Sequence, residues 1–76
     1  MVLATLKDLK GLETVTTKDA AGNTTVMNGG GVTITPASGN AVSLTKDGLN
    51  NGGNTITNVG PGVNGTDAVN VNQLKG

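Results

Sequence analysis

The sequence predicts a mainly β chain with short helices at its ends, and one that cannot build a private core. Three observations carry this reading. Between residues 13 and 59, Thr alternates with Val or Ile in short runs, the period of a strand with one apolar face. Clusters of Gly, Asn, Asp and Pro separate the runs, and these residues supply turn geometry. The 76 residues include 13 Gly and no Phe, Tyr, Trp or Cys. A chain this small, without staples or bulky apolar side chains, needs self-association to bury enough surface. Twelve Thr with many Val argue against disorder.

At the N-terminus, Val2, Leu6 and Leu9 are spaced by four and then three, a d-a-d reading on a short helix that Gly11 would end. Residues 13–18 and 23–28 read as strands joined through Asp19-Ala20-Ala21-Gly22, a hairpin. Gly29-Gly30-Gly31 is either a flexible break or a place where backbones approach closely. Residues 32–35 and 41–45 alternate again around Pro36-Ala37-Ser38-Gly39-Asn40. They predict a second hairpin with Val32, Ile34, Val42 and Leu44 on the buried face. Residues 46–53 read as a loop and 54–59 as a last short strand whose apolar members are Ile56 and Val59.

The last stretch changes character. After Gly60-Pro61-Gly62-Val63-Asn64-Gly65, a helix is expected to begin at Thr66 or Asp67, with Thr66 as N-cap and Asp67 opposing the helix dipole. Val71 and Leu74 then stand three apart, as a and d of one heptad, so the helix is expected to continue beyond Gly76 or to pack against copies of itself. Leu6 to Gly11 aligns without gaps on Val71 to Gly76, 65 residues apart, which suggests a modular array of helix, β-unit and helix. The expected organisation is a helical end at 1–11, a β-rich module at 12–47, and a strand-to-helix adaptor at 48–76.

Composition narrows the chemistry. Five basic and five acidic residues balance, leaving no electrostatic footprint for nucleic acid or a membrane surface. Without His or Cys, the commonest general base and the usual zinc ligands are missing. Asp8, Glu13, Asp19, Asp47 and Asp67 are single and scattered, and Ser38 and Ser43 have no visible base, so no catalytic residue, cofactor site or metal site is expected. Asp47 with Asn50, Asn51 and Asn54 is oxygen-rich but lacks EF-hand spacing. The literal G-x-G-x-x-G at residues 60–65 has no βαβ unit around it, and Pro61 removes an amide, so it reads as a tight turn. The N-x-T triplets at Asn23 and Asn64 read as turn chemistry. No apolar run reaches transmembrane length, and Met1-Val2-Leu3-Ala4 lacks the features of a signal peptide; the chain reads as a segment of something longer.

Gly48-Leu49-Asn50-Asn51-Gly52-Gly53-Asn54-Thr55-Ile56-Thr57-Asn58-Val59, followed by Thr66-Asp67-Ala68-Val69-Asn70-Val71-Asn72-Gln73-Leu74, resembles the neck of trimeric autotransporter adhesins of Gram-negative bacteria. Asp67 to Leu74 is similar throughout to the Asp-Ala-Val-Asn-Val-x-Gln-Leu signature of that family, and about the last thirty residues carry the likeness. Residues 24–36 are similar, less specifically, to β-rich connector modules of Haemophilus-type adhesins. The resemblance implies an interwoven homotrimeric β-prism and neck leading into a parallel coiled coil, with Ile56, Val59, Ala68, Val71 and Leu74 at the trimer interface. It implies an extracellular passenger of an outer-membrane-anchored protein, with attachment to host cells or extracellular matrix made by the full-length protein and no direct membrane contact by this segment. The heptad fragment alone, with Val at a and Leu at d, favours a dimer instead. Two other readings stand beside the structural one: direct binding of a host ligand by the β-module, which has no aromatic anchor to offer, and a trimeric phage fibre or spike segment.

Overall fold

A computed structural model describes residues 7–76 of the chain. Its centre is a five-stranded antiparallel meander in which each strand pairs with the next: β1 (Thr14–Lys18), β2 (Thr24–Asn28), β3 (Gly31–Thr35), β4 (Val42–Thr45) and β5 (Gly48–Asn50). Both hairpins expected from the alternation are present, β1 with β2 and β3 with β4.

Three of the four connections have a local cause. In the β1–β2 turn the Asp19 carboxylate accepts from the backbone N–H groups of Ala21 and Asn23, both at 3.0 Å, and from Asn23 Nδ2 at 2.9 Å. Between β2 and β3 only Gly29 and Gly30 turn the chain, because Asn28 pairs directly with Gly31. Asn28 Oδ1 accepts from the Gly30 N–H at 2.8 Å and closes that turn. Of the two meanings open to the triple glycine, close approach is the correct one: Gly31 has φ +136°, and a Cβ there would collide with the Leu44 carbonyl. Lys46 and Asp47 turn β4 into β5, with the Asp47 N–H donating to Thr45 Oγ1 at 3.1 Å.

The register sorts the side chains. Val15, Met27, Val32, Leu44 and Leu49 sit opposite one another across all five strands and make one continuous apolar row. Ile34 and Val42 form a second, shorter row on the same face. The other face carries Thr16, Val26, Thr33, Ser43 and Asn50. Val32, Ile34, Val42 and Leu44 therefore do share a face, but that face is not buried: Met27 is 52% exposed, Leu44 59% and Leu49 60%. No described residue is buried at all. The radius of gyration, 17.2 Å, compares with about 11 Å for a compact chain of this length.

Four expectations are corrected. Residues 48–50, read as part of a loop, form β5. Residues 54–59, read as a strand, are unpaired, and Asn58 has φ +60°, which breaks extended structure where Asn tolerates it. The terminal helix α1 spans Val71–Lys75 and its N-cap is Asn70, so Thr66 and Asp67 lie upstream in a turn and do not cap it. Of the expected N-terminal helix, residues 7–11 carry no helical turn, and Val2 and Leu6 lie outside the described residues.

Candidate functional site

Residues 51–76 hold the densest side-chain bonding of the chain, and it is built by Asn and Gln. In the turn after β5, Asn51 Nδ2 donates to the Asn54 carbonyl at 2.8 Å and Asn54 Nδ2 donates to the Asn51 carbonyl at 2.9 Å. Asn40 Nδ2 donates to the Gly52 carbonyl at 3.1 Å, tying this turn to the β3–β4 loop.

Further on, three side chains spaced every third residue clamp a loop. Asn70 and Gln73 form a reciprocal capping box: the Gln73 N–H donates to Asn70 Oδ1 at 3.0 Å, and the Asn70 N–H donates to Gln73 Oε1 at 3.1 Å. The same Gln73 amide reaches across to Gly62, accepting from its N–H at 2.8 Å and donating to its carbonyl at 2.9 Å. Asn70 Nδ2 holds the Val59 carbonyl at 2.9 Å. Asp67 takes the loop tip, its Oδ2 accepting from the N–H groups of Asn64 at 2.9 Å and Val63 at 3.1 Å. Those two donors, Asn64 first, hold the Asp67 carboxyl below the ordinary carboxylate range.

The clamp explains the glycine motif. A Cβ at Gly62 would stand 2.6 Å from the Ala68 carbonyl, whereas Gly60 and Gly65 have open space. Only the middle glycine is required by packing. Phosphate binding would need loop amides, and those of Gly62, Val63 and Asn64 are already taken by Gln73 and Asp67. A carboxylate stands where the anion would sit.

Around the clamp lies the apolar surface. Ile56, Val59, Ala68 and Val71, four of the five residues expected at a trimer interface, line one open groove of about 420 Å³ together with Val69. Leu74 does not line it and projects outward, 83% exposed. A second groove of about 270 Å³, lined by Leu9, Leu12, Val15 and Met27, continues the apolar sheet face past its β1 edge. The helix touches none of the strands, so neither apolar surface is covered by the other.

Sequence reasoning missed Asn70 and Gln73 as the cap, although Asn70-x-x-Gln73 has capping-box spacing. It also missed Val15, Met27 and Leu49 on the apolar face, which strand parity against Val32 and Leu44 exposes once the ladders are drawn. Among the described residues no cluster of metal-ligating side chains occurs, and no helix is long and apolar enough to cross a membrane.

Residues 55–76 match the family model of the coiled stalk of trimeric autotransporter adhesin. No curated protein and no solved structure gave a match. The matched segment is less than a third of the chain, and it contains the whole clamp with the groove beside it.

Proposed function

We propose that this chain is a structural segment of the extracellular passenger of a trimeric autotransporter adhesin, in which a β-module precedes a neck that leads into the coiled stalk. The observation that carries the reading is the coincidence of the matched segment with the clamp: the residues that resemble the neck signature, Asp67, Asn70 and Gln73, are the ones that hold the loop against the helix start. The role is mechanical and not catalytic. Three copies turn the apolar rows of their sheets toward a common axis as the walls of a prism, and Ile56, Val59, Ala68, Val71 and Leu74 continue that contact into the stalk. A helix of five residues has no independent stability in water. Its formation in a chain with two uncovered apolar surfaces favours assembly from several copies. The module connects head and stalk and keeps the trimer in register, while attachment to host cells or matrix belongs to the full-length surface protein.

The test extends the chain beyond Gly76 by a trimeric coiled coil in register with Val71 and Leu74. A spin label placed through Met27→Cys should report short, equal distances between copies. Broad distances typical of three separately tumbling sheets would overturn the reading.

A further inference from the structure

The chain has three Asn-Gly steps, at Asn28-Gly29, Asn51-Gly52 and Asn64-Gly65. In such a step the glycine amide nitrogen can attack the asparagine side-chain carbonyl, because no Cβ on the following residue shields it. The structure treats the three differently. At Asn51 both reacting groups are engaged: the Gly52 N–H donates to Asn50 Oδ1 at 2.9 Å, and Asn51 Nδ2 donates to the Asn54 carbonyl. At Asn28 the residue is a ladder member, paired with Thr14 on one side and Gly31 on the other, and its Oδ1 accepts from the Gly30 N–H. Ring closure there would require the backbone to leave both ladders. At Asn64 neither the side-chain amide nor the Gly65 N–H has a hydrogen-bond partner among the described residues. The residue is exposed, space around Gly65 is open, and the backbone is held only through exposed Asp67.

We propose that Asn64 is a site of spontaneous deamidation through a cyclic imide, and that its conversion releases the loop side of the clamp. The Gly65 nitrogen gives up its proton to solvent and bonds to Asn64 Cγ; the Cγ–Nδ2 bond breaks and ammonia leaves with the proton. Water then opens the imide. Attack at Cγ yields aspartate, and attack at the main-chain carbonyl carbon yields isoaspartate, in which the backbone runs through Cβ and Cγ. No electrons change hands. Either product sets a new carboxylate beside that of Asp67, which already accepts from the Asn64 N–H. Isoaspartate also lengthens the chain path by one methylene and turns the main-chain carbonyl that accepts from the Asp67 N–H at 3.0 Å into a free carboxylate off that path. The inference is read from hydrogen bonds within one copy.

The experiment ages the full chain in mildly alkaline buffer at body temperature and follows each Asn-Gly step by peptide mass mapping, with fragmentation that separates aspartate from isoaspartate. A parallel sample is kept unfolded in urea. In the folded chain Asn64 should convert several-fold faster than Asn28 or Asn51, and in urea the three rates should converge. A lead by Asn28 or Asn51 in the folded chain, the same ranking in urea, or no conversion at Asn64 would each overturn the proposal. Gly65→Ala, whose methyl enters open space, should suppress conversion at Asn64; undiminished conversion in that variant would exclude the imide route.

Discussion

Gln73 holds Gly62 as a neighbouring strand would, its side-chain amide accepting from the Gly62 N–H at 2.8 Å and donating to the Gly62 carbonyl at 2.9 Å. The same oxygen also accepts from the Asn70 N–H, so both of its lone pairs are used. One side chain thus joins the loop to the start of α1. Replacing Gln73 with Ala should free the amides of Gly62 and Asn70 together and weaken local closure by about 1–3 kcal/mol. Amide hydrogen exchange checks this: both protons should lose protection in step while β1–β4 amides stay as they are. Loss at Asn70 alone would mean that the contact with Gly62 contributes nothing.

The three glycines of residues 60–65 should not be equivalent to mutation. Gly62→Ala drives a methyl toward the Ala68 carbonyl, 2.6 Å away, and must displace either the loop or the residue before Val69. It should produce wide chemical-shift changes through residues 59–73. Gly65→Ala meets open space and should perturb only its neighbours. Equal perturbation by the two would remove the steric reason for Gly62.

Asp67 gives the clamp an acid limit. Hydrogen bonds from Asn64 and Val63 depress its folded value, so the stabilisation is present in full above the ordinary aspartate value, near about pH 4, and is lost as pH falls through the depressed one. The β1–β2 turn has the same sign, since Asn23, chiefly through its side chain, depresses Asp19. An NMR titration of the Val63 and Asn64 amides should therefore show midpoints below the ordinary value, and Asp67→Asn should abolish that transition. Midpoints at or above the ordinary value would contradict the geometry.

The hairpins were legible because alternation and turn residues coincide there: Thr-Val periodicity runs up to Asp19 and resumes after Asn23, and Asp19 itself makes the turn. The two strand corrections have one cause. Alternation states which side chains a strand would bury, not whether a partner edge exists. Thr55-Ile56-Thr57 alternates but meets no edge, while Gly48-Leu49-Asn50 has little periodicity and becomes a strand because the Lys46-Asp47 turn delivers it to β4. At the helix, Thr66, Asp67 and Asn70 are all acceptable caps by residue type. The choice is made by what else each can bind: Asp67 is drawn to the loop amides, and Asn70 has Gln73 three residues on. Ile56, Val59, Ala68 and Val71 were expected together from their apolar character and do line one groove, with Val69 beside them, while Leu74 lies outside it.

The amphipathic sheet separates its two faces within one dipeptide. Val26 and Met27 are neighbours on β2, yet Met27 stands in the row with Val15, Val32, Leu44 and Leu49, and Val26 pairs with Thr16 and Thr33 on the opposite face. Under the trimeric reading, Met27→Lys brings three ammonium groups into the apolar interior, where desolvation is costly and no carboxylate lies in the row to receive them. Val26→Lys adds three charges to a surface that already carries Thr, Ser and Asn. In the chain extended by a trimeric coiled coil, Met27→Lys should lower the melting temperature of the β-module sharply and widen the distances between copies. Val26→Lys should leave both close to those of the parent. The coiled coil keeps the three copies together in every variant, so a loss specific to Met27 reports on the sheet face alone. Effects equally small at the two positions would show that neither face meets another copy, and the prism would have to be abandoned while the clamp at Gln73 stood unaffected.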